Sequence, residues 1–472
     1  MLLEAILSFC LNPSLESIPV LDAGRIKPFL SMASESLNHL KISSPKELVK
    51  GETNILSTFC RLSFGDKSFE IKTKIENQQL QDFFKKKEIS YNDLASLNLD
   101  IRKEFFKQKE QTSYKKSLEN FLHKIQLYEN IIQGLHWDVY KNNDWVKANT
   151  LTPQEILSST IEYAKDHPQD FYSIEIYYQK YKPFFIGLAF SIFSLLCIFL
   201  FPKKNYGVLL LSLSFFIQTI GLILRILISK RAPITNMYET VLFSGYGGLI
   251  ISSILWYFKK DRLFLMVGLF YNCCCLLMLH LANDMLDASI NPLVPVLRDN
   301  FWLSTHVTSV ILSYAAFALS WVLSNFAIFS TFSKNKDQTF HQYSPLIYSA
   351  LKFGIVFLAT GIILGGVWAD YSWGRFWGWD PKETWSLIVL LLYMAILHAK
   401  YTNWLKVKSF VFYTAFAFLG VMMAWFGVNY ILASGLHSYG FSQGGAVFLG
   451  SFFILQITLL LLGYWQVSRN KS

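Results

Sequence analysis

Apolar and polar positions fall into two regimes that meet near residue 183. Before it, Lys, Glu, Asn and Gln interrupt every apolar run, and from Gln78 to Leu135 the apolar residues recur at helical spacing. The pattern predicts a water-soluble, mostly helical domain over residues 1–182. Thr152-Pro153-Gln154-Glu155 reads as an N-cap, a first-turn proline and a capping-box glutamate, opening a helix that runs toward Tyr181 and feeds the first span. From Pro183 onward nine apolar runs follow: 183–201, 206–228, 239–258, 263–282, 303–332, 350–367, 384–399, 409–430 and 446–466. A helix needs about 20 such residues to cross a bilayer, so each run is a candidate span. The seventh is short and continues into its flanking aromatics. The expected fold class is all-α, a polytopic bundle of about nine spans behind an N-terminal extracytoplasmic helical domain.

Composition agrees: 52% of the 472 residues are hydrophobic and 17% aromatic, too apolar for a soluble chain of this length. Charge refines the picture. Residues 1–182 balance 24 basic against 24 acidic side chains, so the net +10 lies in the apolar part. Alternate loops there carry twelve basic residues (Lys203, Lys204, Lys259, Lys260, Arg262, Lys334, Lys336, Lys400, Lys406, Lys408, Arg469, Lys471) against five (Lys230, Arg231, Arg298, Arg375, Lys382). The positive-inside rule puts the twelve in the cytoplasm, with residues 1–182 and the loops near 290, 375 and 437 outside. This excess belongs to membrane orientation and implies no nucleic acid. Met1–Leu11 is apolar but contains Glu4 and lacks a basic start, which makes a poor signal peptide. Cys273, Cys274 and Cys275 read as small packing residues in a span, and Cys10, Cys60 and Cys197 are scattered. Without C-x-x-C the chain is neither a thioredoxin-like reductant nor a c-type cytochrome.

Candidate chemistry concentrates between Trp368 and Trp385. Trp368, Trp373, Trp377, Trp379 and Trp385 are five of the thirteen tryptophans, and an Asp380-Pro381-Lys382-Glu383 string runs among them. An aromatic belt at headgroup depth needs only amphipathic rings. Broad rings, Gly374 and Gly378 for close backbone approach, and polar edges including Asp380 suit a large planar apolar ligand with polar margins. His306 and His437 lie at the outer ends of the fifth and eighth runs, on the same side as these rings. His398, thirteen residues past Trp385, lies roughly 20 Å deeper at about 1.5 Å per residue. His280 is the other intramembrane histidine and reads as structural. His39, His123, His136, His167 and His341 read as solvated. Arg225 and Glu239 read as a buried pair or as contacts to an acidic ligand edge.

The string from Trp368 to Trp385 resembles the "WWD" signature of haem-handling proteins. Its continuation to His398 is similar to the CcsA/ResC branch of cytochrome c biogenesis proteins. Pro233-Ile-Thr-Asn-Met-Tyr-Glu239, Trp302-Leu-Ser-Thr-His306 and Gly435-Leu-His437-Ser-Tyr439 add to the resemblance, and Asp22-Ala-Gly-Arg-Ile-Lys-Pro28 resembles the domain that precedes CcsA in fused CcsBA proteins. The resemblance implies a bacterial inner-membrane protein that presents haem b to the C-x-x-C-H of an apocytochrome c for thioether attachment. It implies His306 and His437 as axial iron ligands, His398 as a transit ligand, and Trp368, Trp373, Trp377, Trp379, Asp380 and Trp385 as the haem-contacting surface. The second transmembrane histidine of the family belongs to a CcsB/ResB part, which implies a CcsB/ResB-like membrane partner. The alternative is a haem transporter or chaperone passing haem to a separate ligase. A quinone-linked redox subunit would need further ligand pairs within the spans.

Overall fold

The computed structural model describes residues 6, 8–40, 55–66, 71–75, 77–108, 113–282, 285–293, 299–332, 336–432 and 445–469. The chain divides into two compact units, Met1–Tyr181 and Lys182–Ser472.

The first unit is helical, as its spacing predicts, with helices at Phe29–Leu40, Ile55–Ser63, Asn98–Lys107 and Ser113–Ile132 among its members. Two hairpins that periodicity did not reveal stand beside them. Strands β1 (Pro19–Asp22) and β2 (Arg25–Pro28) turn through Ala23 and Gly24, and β5 (Asp138–Lys141) and β6 (Asp144–Lys147) turn through Asn142 and Asn143. All four turn residues have positive φ, the conformation that two-residue hairpin turns require. The hairpins join as β2-β1-β5-β6, with Val20 opposite Val139, while β3 (Lys72–Lys74) and β4 (Glu88–Ser90) pair separately. Strands of three or four residues are too short to show an alternating signature.

Charge pairs fasten the first hairpin. Lys27, almost fully buried, reaches Asp22 at 2.7 Å and Glu35 at 2.6 Å, and Arg25 grips Glu175 with both terminal nitrogens. The Asp22–Pro28 stretch is thus an anchored hairpin. Cys10 and Cys60 form a disulfide. His136, expected to be solvated, is half-buried and bonds Ser36 at 2.8 Å, and burial lowers its pKa below the ordinary value. The Thr152 cap is present with its capping box, but its helix stops at Asp166. Pro168 follows at once, and a second helix, Ile174–Tyr181, begins after a turn, so the single helix expected from 152 to 181 is two.

In the second unit, helices long and apolar enough to cross a membrane cover all nine expected runs among the described residues. They are α1 (Pro183–Leu200), α2 (Tyr206–Ser229), α3 (Met237–Lys259), α4 (Leu263–Leu281), α5 (Thr308–Ser330), α6 (Lys336–Trp373), α7 (Pro381–Tyr401), α8 (Val407–Met422) and α9 (Gly445–Arg469). The protein is a multi-pass membrane protein. Two of the spans carry π-helical turns, Leu303–Val307 ahead of α5 and Met423–Leu432 after α8.

Helix packing without water rests on close contact and satisfied polar groups. Ser191 on α1, Ser214 and Gln218 on α2 and Asn272 on α4 form one fully buried hydrogen-bonded seam, with Gln218 and Asn272 bonded reciprocally. Arg225 and Glu239 are fully buried and paired at 2.8 Å. The carboxylate also accepts Thr235 N–H and hydroxyl, and the guanidinium donates to the Ala288 carbonyl. Pro233 to Glu239 therefore builds a helix start, with Asn236 as the N-cap. Breaking such a buried pair typically costs about 3–5 kcal/mol.

Candidate functional site

The tryptophan region is mostly helix. Trp368 and Trp373 lie on the last turns of α6, Trp385 lies in the first turns of α7, and residues 374–380 alone form the connection. Gly374 ends α6 with φ +66° and its N–H bonded to the Asp370 carbonyl, the usual glycine stop of a helix. Gly374 terminates the helix and has open space where a Cβ would stand, while the Arg375 guanidinium occupies the space over Gly378. Asp380 caps α7 and accepts Lys382 N–H at 2.9 Å, with Pro381 as first residue. Glu383 closes the capping box and does more. Its carboxylate accepts N–H from Asp380 (3.1 Å) and Gly378 (2.8 Å) and lies 3.5 Å from the Arg375 guanidinium. Asp-Pro-Lys-Glu is thus the lock that shapes the connection between the rings, a role for Glu383 and Arg375 that the sequence reading did not assign.

The rings are held unequally. Trp368 is buried against Leu303, with Leu293, Trp302 and Val307 around it, and stands 6.5 Å from Trp373. Trp377 meets Trp379 edge-on at 5.9 Å. Trp379 is 69% exposed and sits at φ +56°, a conformation that costs a residue with a side chain roughly 1–2 kcal/mol. A bulky exposed ring kept in that conformation is the kind of strain that gathers at ligand sites. The indole N–H groups of Trp368 and Trp377 are buried with no hydrogen-bond partner among the described residues. Buried donors are nearly always paired, so each calls for an acceptor that the described residues do not supply.

His306 stands beside this surface. Its ring is 5.8 Å from that of Trp368, and its Nδ1 lies 2.8 Å from the Gly361 carbonyl of α6. His437 lies outside the described residues. His398 is on the last turn of α7, exposed, and its ring has no hydrogen bond among the described residues, so interhelical bonding does not account for it. His280 is partly buried, edge-on to Phe185 at 5.3 Å, with Nε2 unpartnered among the described residues. Arg225 and Glu239 serve each other. The structure therefore brings His306 together with Trp368 and leaves His398 at the opposite end of α7 from Trp385.

The family of Cytochrome C assembly proteins matches residues 234–437, which contain the helix start at Asn236, the π turn with His306 and the whole tryptophan region. Protein NrfI of Wolinella succinogenes is 38% identical over 238 residues, 48% of this chain and 25% of that protein. Cytochrome c biogenesis protein CcsA of Chlamydomonas reinhardtii is 36% identical over 227 residues, 45% of this chain and 62% of the relative. The chain thus spans a quarter of NrfI and somewhat under two thirds of that CcsA. CcsA of Guillardia theta is 35% identical over 237 residues, which make up 44% of this chain and 76% of the relative. The chain belongs to the CcsA family of cytochrome c biogenesis proteins. Within this CcsA-family chain, the Trp368 indole and the oriented His306 imidazole meet where α6 packs on the π turn.

Proposed function

We propose that this chain receives haem in the bacterial inner membrane and holds it against Trp368, Trp373, Trp377, Trp379, Asp380 and Trp385, with His306 and His437 on the iron, for covalent attachment to an apocytochrome c. The observation that carries this reading is the contact of His306 with Trp368, whose indole N–H, like that of Trp377, is buried with no partner among the described residues. Haem offers what they lack, an iron for the imidazole and propionate oxygens for the donors.

The reaction is addition. Each thiol of the C-x-x-C-H segment adds across a vinyl C=C, sulfur to the inner carbon and hydrogen to the terminal one, with no net transfer of electrons. Haem supplies the reactive carbons, so the protein contributes orientation, and fixing thiol and vinyl in an attack geometry removes much of an entropic barrier. Haem reaches this site past His398, whose exposure on α7 suits a second ligand from a CcsB/ResB-like membrane protein. The Cys10–Cys60 disulfide supports an extracytoplasmic first unit, because disulfides persist outside the reducing cytoplasm.

Trp368→Phe combined with Trp377→Phe removes both N–H donors and keeps aromatic faces. Hydrogen bonds to a charged acceptor contribute about 1.5–3 kcal/mol each, so haem affinity of the purified protein is expected to fall at least tenfold. Titration with haem measures it, and an unchanged affinity removes these donors from the site.

A further inference from the structure

His306 lies within a single π turn, Leu303–Val307, inserted between Asn300–Trp302 and α5. Such a turn holds one residue more than an α turn and so re-aims its side chains against the neighbouring helix. Here the neighbour is α6, which meets the ring through backbone as well as through Trp368. The Gly361 carbonyl can only accept, so the Nδ1 atom 2.8 Å away carries the proton, and a neutral imidazole then has its lone pair on Nε2. One turn further along α6, a Cβ on Gly365 would stand 2.6 Å from Cε1, 2.8 Å from Nδ1 and 3.3 Å from Nε2 of His306. Any residue but glycine would push the ring away. The imidazole is thus held by a hydrogen bond at Nδ1 and by direct contact with the α6 backbone at Gly365.

We propose that Gly361, through its carbonyl, and Gly365, through its missing side chain, are the positioning residues of His306: they fix the Nδ1–H tautomer and present Nε2 to the haem iron. This inference rests on the reading that His306 is an iron ligand. The outer partner of a metal-bound imidazole typically changes metal affinity 10–100-fold, because it fixes ring orientation and raises the donor strength of the other nitrogen.

The test uses the full chain. In 15N-histidine-labelled, haem-free protein, the His306 resonances are expected to report a protonated Nδ1 and a bare Nε2, and the reverse tautomer overturns the proposal whether or not any variant folds. Gly365→Ala, loaded with haem, is expected to lose the low-spin six-coordinate spectrum, with affinity lowered about 10–100-fold. Millimolar imidazole should restore it, because a free ligand needs no seat, whereas a merely misfolded helix would not be rescued. If His306→Ala changes the spectrum and Gly365→Ala does not, the seat is wrong and the ligand stands. If His306→Ala leaves the wild-type spectrum, the ligand reading itself has failed.

Discussion

Replacing His306 by alanine is expected to convert a low-spin, six-coordinate haem into a five-coordinate one that binds carbon monoxide or added imidazole. The same result is expected for His437→Ala. Two imidazoles on iron give sharp visible bands in the reduced state, and loss of either opens one axial position. The effect is large because the histidines act on the iron itself, whereas the tryptophans act on the porphyrin face and margin. Apocytochrome maturation should fall roughly 100-fold in either variant, the penalty that even a small misplacement of reacting atoms can bring. Visible spectra of the purified variants measure the first effect. Retention of wild-type bands by both would place the iron ligands elsewhere.

The second large effect is expected at His398. It stands at the far end of α7 from Trp385, thirteen residues away, so one haem cannot touch both levels. An exposed ionisable side chain on a membrane helix, without a hydrogen bond among the described residues, is costly unless something covers it. His398→Ala should therefore leave His306 and the tryptophan surface folded but unfilled. Haem content of the protein as isolated should drop roughly tenfold or more, since loss of an axial bond exceeds the about 1.4 kcal/mol that a factor of ten represents. Haem added from the outer side should refill the site. Pyridine haemochrome assays before and after addition give the answer, and full occupancy of the untreated variant would take His398 off the route.

The sequence showed the nine membrane helices because bilayer thickness forces long apolar runs, and it showed the tryptophan region because so many indoles near Asp-Pro-Lys-Glu are rare in a simple belt. It understated the sixth span. Polar residues such as His341, Gln342 and Ser344 precede the apolar run at 350–367, yet α6 begins at Lys336 and continues past Trp368 to Trp373. The two hairpins of the first unit escaped notice because four-residue strands carry no period, although Asn142-Asn143 is a legible turn signal. His136 looked solvated because the segment before it is largely polar, while its contacts, Ser36 and Phe59, come from distant helices. At the candidate site the sequence pointed to Trp368 and His306, which the structure brings together, and did not show how His306 is held. A backbone carbonyl at Gly361 and a π turn at His306 leave no mark in residue type, and Gly365, though visible as a glycine, gains its meaning only from the packing of α6 against His306.

The central claim is that haem held by His306 becomes covalently joined to an apocytochrome through this protein. The most direct measurement co-expresses the full chain and a CcsB/ResB-like partner with a C-x-x-C-H reporter in a host stripped of its own cytochrome c maturation proteins, and scores haem that survives denaturation and acid extraction. Thioether-linked haem on the reporter with the wild-type chain, and only background with His306→Ala, is the predicted result. Equal covalent haem with and without His306 would contradict it, and haem-loaded wild-type protein that leaves the reporter unmodified would make this chain a carrier for a separate ligase.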